Sequence, residues 1–233
     1  MREWAKALLT VLFPHHCFLC GEVILPRQKL CAECVRRAPY ILPPLCEHCG
    51  RNEDDCTCRG HSRSYKRVVS PFYHKGVVKS GIQSLKNNEY AVVTEGFAAE
   101  MAEVVRREYG GIAFDLITAM PMHPEDVHER GFNQAVGLAR ALSEMLGVSY
   151  MPTLKKLRTT EPQKGLTAVR RQGNLLGVFD VVADVAGRTI LLVDDVTTTG
   201  SSLDECAKML KIFGAEEVYA VTAAATVLQK TEK

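Results

Sequence analysis

The apolar pattern of the chain changes character near residue 65. From Tyr65 onward, segments that read as strands alternate with segments that read as helices, which is the signature of an α/β sheet. Ile190 to Val193 is an unbroken apolar run, as a strand buried on both faces of a parallel sheet requires. Leu203, Ala207, Leu210 and Phe213 then recur at helical spacing, with Gly214 placed to end the helix. Asp115 to Met122 (DLITAMPM) reads as a second core strand, and Val136, Leu138, Ala139 and Leu142 mark the buried side of a helix after Gln134. Ala7 to Phe13 predicts a short amphipathic helix over 1–13 that packs through Trp4, Leu8, Val11 and Leu12. Residues 14–64 show no apolar period and hold five of the ten prolines, so an ordinary core is not expected there. The expected division is 1–13, 14–64 and 65–233.

Composition adds one decisive feature. A chain of 233 residues, 46% hydrophobic and 24% charged, is neither disordered nor collagen-like, but it carries nine cysteines. Eight fall in the pairs Cys17/Cys20, Cys31/Cys34, Cys46/Cys49 and Cys56/Cys58, and Cys206 stands alone on the last predicted helix. The apolar run before Pro14 lacks a small-residue cleavage site and falls far short of the roughly 20 residues that span a bilayer. A cytoplasmic address without membrane insertion follows, and there thiols hold metal rather than form disulfides. Tetrahedral zinc takes four thiolates from two short knuckles, so eight cysteines make two complete structural sites without an open catalytic position. Gly21 and Gly50 suit the tight turn of such knuckles. The simplest pairing is sequential, Cys17, Cys20, Cys31 and Cys34 on one ion and Cys46, Cys49, Cys56 and Cys58 on the other, with a crossed pairing left open. His15, His16, His48 and His61 read as loop residues, available as substitute ligands.

Metal alters the charge reading. The chain is formally +2, and residues 1–70, with eleven Lys/Arg and seven Asp/Glu, are +4. Two zinc ions on eight thiolates add −4, which leaves the module near neutral and the whole chain near −2. Net charge therefore gives no argument for nucleic acid, and any such contact rests on local patches. These are Arg27 with Lys29, Arg36 with Arg37, Arg63 with Lys66 and Arg67, and the span 155–171. In that span Lys155, Lys156, Arg158, Lys164, Arg170 and Arg171 face a single acid, Glu161. No aromatic lies between Tyr150 and Phe179 on which bases could stack.

The richest chemistry follows the apolar run 190–193. Asp194 and Asp195 stand at its carboxyl end, where open α/β sheets bind ligands. Thr197, Thr198, Thr199, Gly200, Ser201 and Ser202 come next, a loop of hydroxyls and backbone amides opening a helix, which is an anion cradle. Two acids beside a phosphate cradle call for a ribose diol or its magnesium.

This stretch resembles the phosphoribosyl pyrophosphate signature of type I phosphoribosyltransferases. The resemblance implies that Asp194 and Asp195, the catalytic pair, bind the ribose hydroxyls while Thr197 to Ser202 wrap the 5-phosphate. It further implies that amides near Met122 and His123, with Arg130, contact pyrophosphate. The basic span would close over the charge of the donor and its Mg²⁺ through Arg158, Gln163 and Arg170. Across nearly the whole chain the motifs resemble those of the ComF family of competence proteins: LLTVLFPHHCFLC, the paired knuckles, SGIQSLK, ERGFNQ at Glu129–Gln134, the spaced Gln163, Leu166, Arg171 and Asn174, and VDDVTTTG. That resemblance implies a type I phosphoribosyltransferase-like parallel sheet with flanking helices and a hood, preceded by a small double zinc ribbon. It also implies a role in natural transformation, with internalised single-stranded DNA and a competence helicase or DNA-processing protein as partners. Two activities stay open: a magnesium-dependent phosphoribosyltransferase acting on a base, nucleotide or damaged DNA, and a protein that binds phosphoribosyl pyrophosphate without turnover. A salvage enzyme unrelated to DNA uptake is the alternative role. Glutamine hydrolysis is not expected, because the first cysteine, Cys17, serves zinc.

Overall fold

The computed structural model describes residues 14–26, 28–58, 62–87, 91–157 and 178–228. The expected helix at 1–13, with Trp4, Leu8, Val11 and Leu12, lies outside the described residues, as do Arg27, His61, Arg158, Gln163, Lys164, Arg170 and Arg171.

A five-stranded parallel sheet carries the architecture. Its strands are β3 (Val68–Val69), β4 (Phe72–Tyr73), β5 (Leu116–Ala119), β8 (Thr189–Thr197) and β9 (Glu217–Ala225), in the order β3-β9-β8-β5, with β4 also on β9. Registers such as Thr118 opposite Leu192 and Leu192 opposite Ala220 place the apolar runs side by side. Ile190 to Val193 are all fully buried, as an unbroken apolar run in a doubly covered sheet demands. Ala220, Ala223, Ala224 and Ala225 keep β9 slim, so covering helices can approach closely. β8 outruns the expected strand, because β9 continues to pair with it at Asp194, Val196 and Thr197; the two acids therefore belong to the strand itself.

Two crossovers leave neighbouring strands in opposite directions. From β5 the chain passes through α4 (Pro124–Arg130) and α5 (Gln134–Leu146) to Tyr150, which bridges Ile117 in parallel at the outer edge. From β8 it passes through α6 (Ser201–Ile212) back to β9 on the inner side. Right-handed crossovers in opposite directions put α5 and α6 on opposite faces and open a switch point between the carboxyl ends of β5 and β8. Helices α2 (Val77–Lys86) and α3 (Ala91–Tyr109) precede β5, and α3 packs on both α5 and β9. A separate antiparallel pair, β6 (Leu154–Lys156) and β7 (Phe179–Val181), borders residues 158–177 in sequence.

The cysteine region begins with an antiparallel pair, β1 (His15–His16) with β2 (Val23–Ile24), followed by α1 (Ala32–Arg37). An ordinary core was not expected there, yet Phe18 and Leu19 are at most 2% exposed and belong to the same apolar cluster as Phe97, Val78 and Ile82 of the α/β domain. Phe18 meets Phe97 edge-on at a centroid distance of 5.0 Å. Its seat is cut for it: a Cβ on Gly96 of α3 would lie 2.2 Å from Phe18 Cγ. The reason for the difference is that two residues between paired cysteines form no period, so their burial leaves no trace in the local pattern.

Candidate functional site

The eight cysteines gather as two sequential sets. Cys17, Cys20, Cys31 and Cys34 form one and Cys46, Cys49, Cys56 and Cys58 the other, with the sulfurs of each set within 4.8 Å of one another. A tetrahedral ion with Zn–S bonds of about 2.3 Å needs sulfurs about 3.8 Å apart. Separations are 3.7 Å for Cys20–Cys31 and Cys46–Cys58 and 3.6 Å for Cys49–Cys56, with Cys56 closer, at 3.3 Å, to Cys46 and Cys58, and these four-thiol sets fit structural zinc. The two knuckles repeat one plan: the first cysteine's N–H donates to Glu22 or Arg51 and its carbonyl accepts from Gly21 or Gly50, both glycines at positive φ. With all eight thiols so placed, the histidines are not needed as ligands.

The loop Thr198 to Ser202 lies at the switch point. Gly200 takes a left-handed conformation and caps α6. Thr199 Oγ1 and Ser201 Oγ lie 2.9 Å apart. The loop's carbonyls are tied down from behind: Thr198 O accepts from Arg51, Thr199 O from Arg63 at 3.0 Å, and Thr197 O from Thr226 N at 2.8 Å. Among the described residues the amides of Thr198 to Ser202 meet no protein acceptor, and those of Ser201 and Ser202 open the helix and have none within it. A row of amides at a helix N-terminus is competent to hold a phosphate.

The acids stand beside this row. Asp195, 7% exposed, accepts from Gln134 Nε2 at 3.0 Å and pairs with Lys86 Nζ at 3.4 Å. Arg130 reaches Gln134 Oε1 at 3.5 Å, so the ERGFNQ motif links a cation to an acid through one amide side chain. Burial, and secondarily the charge of Asp195, push the Asp194 carboxyl well above the ordinary carboxylate range. Asp194 lines a cavity of about 230 Å³ with Met120, Met122, Arg130, Gln134 and Ser202. The structure thus brings Asp194, Met122, Arg130 and the cradle residue Ser202 to one hollow. The His123 side chain caps α4, its Nδ1 accepting from Glu125 N at 3.3 Å. Cys206 is fully buried on α6, and desolvation first, then the Asp194 charge, push its thiol up.

Several basic residues proposed as patches have partners. Arg36 and Arg37 pair with Glu33, Lys66 with Glu217, Arg67 with Glu108 and Lys155 with Asp180. Lys86 and Gln134 carry roles that local sequence did not assign, although SGIQSLK and ERGFNQ pointed to their segments. Arg63 was singled out only as part of a basic patch with Lys66 and Arg67, and Arg51 not at all, because their partners lie 136 and 147 residues away.

Comparison with known proteins matches this layout. Residues 8–64 match the double zinc ribbon domain and residues 127–233 the phosphoribosyl transferase domain. The chain is 29% identical over 206 residues to the DNA utilization protein YhgH of Salmonella typhimurium, covering 87% of this chain and 86% of that one. It is 28% identical to competence protein F of Haemophilus influenzae (88% and 95% covered) and 26% to competence protein ComFC of Streptococcus pneumoniae (87% and 96%). A crystal structure of adenine phosphoribosyltransferase aligns with 60% of this chain and 83% of its own at a TM-score of 0.40 and 15% identity. Among the described residues no helix is long and apolar enough to cross a membrane.

Proposed function

We propose that this chain, which joins a double zinc ribbon domain to a phosphoribosyl transferase domain and is similar to competence protein F and ComFC over most of its length, is a member of the ComF family that binds phosphoribosyl pyrophosphate and serves the handling of internalised DNA. The observation that carries the ligand is one juxtaposition: an acidic pair at the end of β8, followed at once by a loop whose amides open a helix. Thr198 to Ser202 take the 5-phosphate through backbone N–H groups and hydroxyls. Asp194 and Asp195 orient the ribose diol, with Gln134 and Lys86 holding Asp195. Met122 and Arg130 face the diphosphate. The oxygen donors of the acid pair suit Mg²⁺, which when bound neutralises diphosphate charge. Arg158, Gln163 and Arg170 cover the bound donor, and single-stranded DNA with its processing proteins are the partners, met in the cytoplasm. The names of the relatives, competence protein F and DNA utilization protein, support the DNA role.

Isothermal titration of phosphoribosyl pyrophosphate with Mg²⁺ tests the ligand. The wild-type chain binds and the Asp194→Asn/Asp195→Asn variant does not; silence from the wild type overturns the reading. Pyrophosphate release across bases, nucleotides and damaged DNA then distinguishes transfer from binding alone.

A further inference from the structure

The second zinc ribbon reaches into the phosphate loop. Arg51 follows Gly50 directly, and its own carbonyl accepts the N–H of the ligand Cys46 at 2.8 Å, so its backbone is fixed by the metal knuckle. The knuckle is in turn seated on the sheet: a Cβ on Gly50 would lie 2.1 Å from Val68 O. The Arg51 guanidinium is buried, the residue being 3% exposed, and donates through Nε to Thr226 O at 2.9 Å and through a terminal nitrogen to Thr198 O. One planar fork thus clamps the end of β9 to the phosphate loop, a contact a lysine cannot reproduce.

That clamp sets the direction of an amide. In a trans peptide the C=O and the following N–H point in opposite directions. Holding Thr198 O toward Arg51 turns the Thr199 N–H away from the ribbon, and Arg63 on Thr199 O does the same for the Gly200 N–H. Both N–H groups belong to the loop assigned above to the phosphate.

We propose that Arg51 is a positioning residue for the phosphate loop, and that occupancy of the Cys46/Cys49/Cys56/Cys58 metal site therefore governs affinity for the phosphorylated ligand. The inference rests on the phosphoribosyl pyrophosphate reading for its ligand, but the loop geometry is measurable without one.

Full-length protein with zinc content determined is the material, in the wild-type, Arg51→Met, Arg51→Lys and Cys58→Ser forms. Amide hydrogen exchange at Thr226 and Asp204, whose N–H groups donate to Thr197 O at 2.8 Å and to Gly200 O at 2.9 Å, is read first, without ligand, and calorimetric titration with phosphoribosyl pyrophosphate and Mg²⁺ second. Both Arg51 variants should keep two zinc ions, exchange faster at these two amides than wild type, and bind at least about tenfold more weakly, since one charge-assisted hydrogen bond is at stake. Cys58→Ser, with one zinc, should show the same loss. Unchanged exchange in Arg51→Met with both ions retained overturns the proposal. Faster exchange with no binding even by wild type upholds the clamp and overturns the ligand reading instead. Should Arg51→Met not fold, Arg51→Lys, which keeps the charge, decides by the same exchange measurement.

Discussion

Gly200→Ala tests the phosphate loop at its tightest point. Gly200 has φ +76°, and a Cβ there would lie 2.6 Å from the Tyr65 hydroxyl oxygen. Tyr65 is 4% exposed, so its ring cannot swing aside. Alanine meets two costs: about 1–2 kcal/mol for a left-handed backbone, and about 1–3 kcal/mol for forcing an extra methyl into a packed site. At roughly 2–4 °C per kcal/mol for a chain of this size, the melting temperature should fall by about 10 °C. Tyr65→Phe separates the two costs. It deletes the hydroxyl, and the next ring atom, Cζ, stands at an ordinary 3.7 Å from the added methyl. In that background only the backbone cost is left, and the fall should shrink to about 5 °C. Thermal unfolding of the four proteins in a double-mutant cycle, with zinc content held constant, gives the coupling directly. A coupling below about 0.5 kcal/mol, within the range of independent sites, would refute the packing described for the loop.

Four further outcomes can be measured. Phe18→Ala removes a fully buried ring shared by the ribbon and the helices and should cost about 3–5 kcal/mol; calorimetry should show the whole unfolding transition moving down, whereas an unmoved main transition would mean the ribbon is a mere appendage. Burial first, and then the charge of Asp195, push the Asp194 carboxyl well above the ordinary carboxylate range. Its raised folded-state value means that stability present at low pH is lost as pH rises through that value. Asp194→Asn should therefore raise the melting temperature of the ligand-free chain at pH 7.5, with the gain vanishing below the ordinary aspartate range. Conversely, wild-type affinity for phosphoribosyl pyrophosphate should weaken on acidification well before ordinary carboxylates titrate, and a flat profile to pH 4 contradicts this. Neutralising Lys155, Lys156, Arg170 and Arg171 together should weaken single-stranded DNA binding at low salt about tenfold or more and flatten its salt dependence; unchanged binding by filter or anisotropy assay would move the DNA contact to the ribbon.

What the sequence disclosed depended on whether a residue's partners were near it along the chain. Ile190 to Val193, the two acids and the loop to Ser202 are consecutive, so strand, acid pair and helix-opening loop could be read as one unit, and the strand's extra length came only from its pairing with β9. The cysteines were legible for the same reason, since a knuckle is four residues long; their sequential grouping needed the fold. Phe18 against Gly96 left no periodic trace, because a single aromatic between two cysteines has no pattern to belong to. Arg51 looked like any loop arginine, and nothing in C-x-x-C-G-R tells of a carbonyl 147 residues on.

These two residues also redefine the border drawn by composition near residue 65. Composition marks where thiol ligands give way to apolar burial as the source of cohesion, which is a statement about chemistry. It is not a statement about independence. Phe18 crosses the border by entering the core beneath α3, and Arg51 crosses it by holding the loop after β8. A chain begun at residue 65 would expose the pocket that Phe18 fills and release Thr198 O from its clamp, so the ribbon contributes both to the fold and to the site.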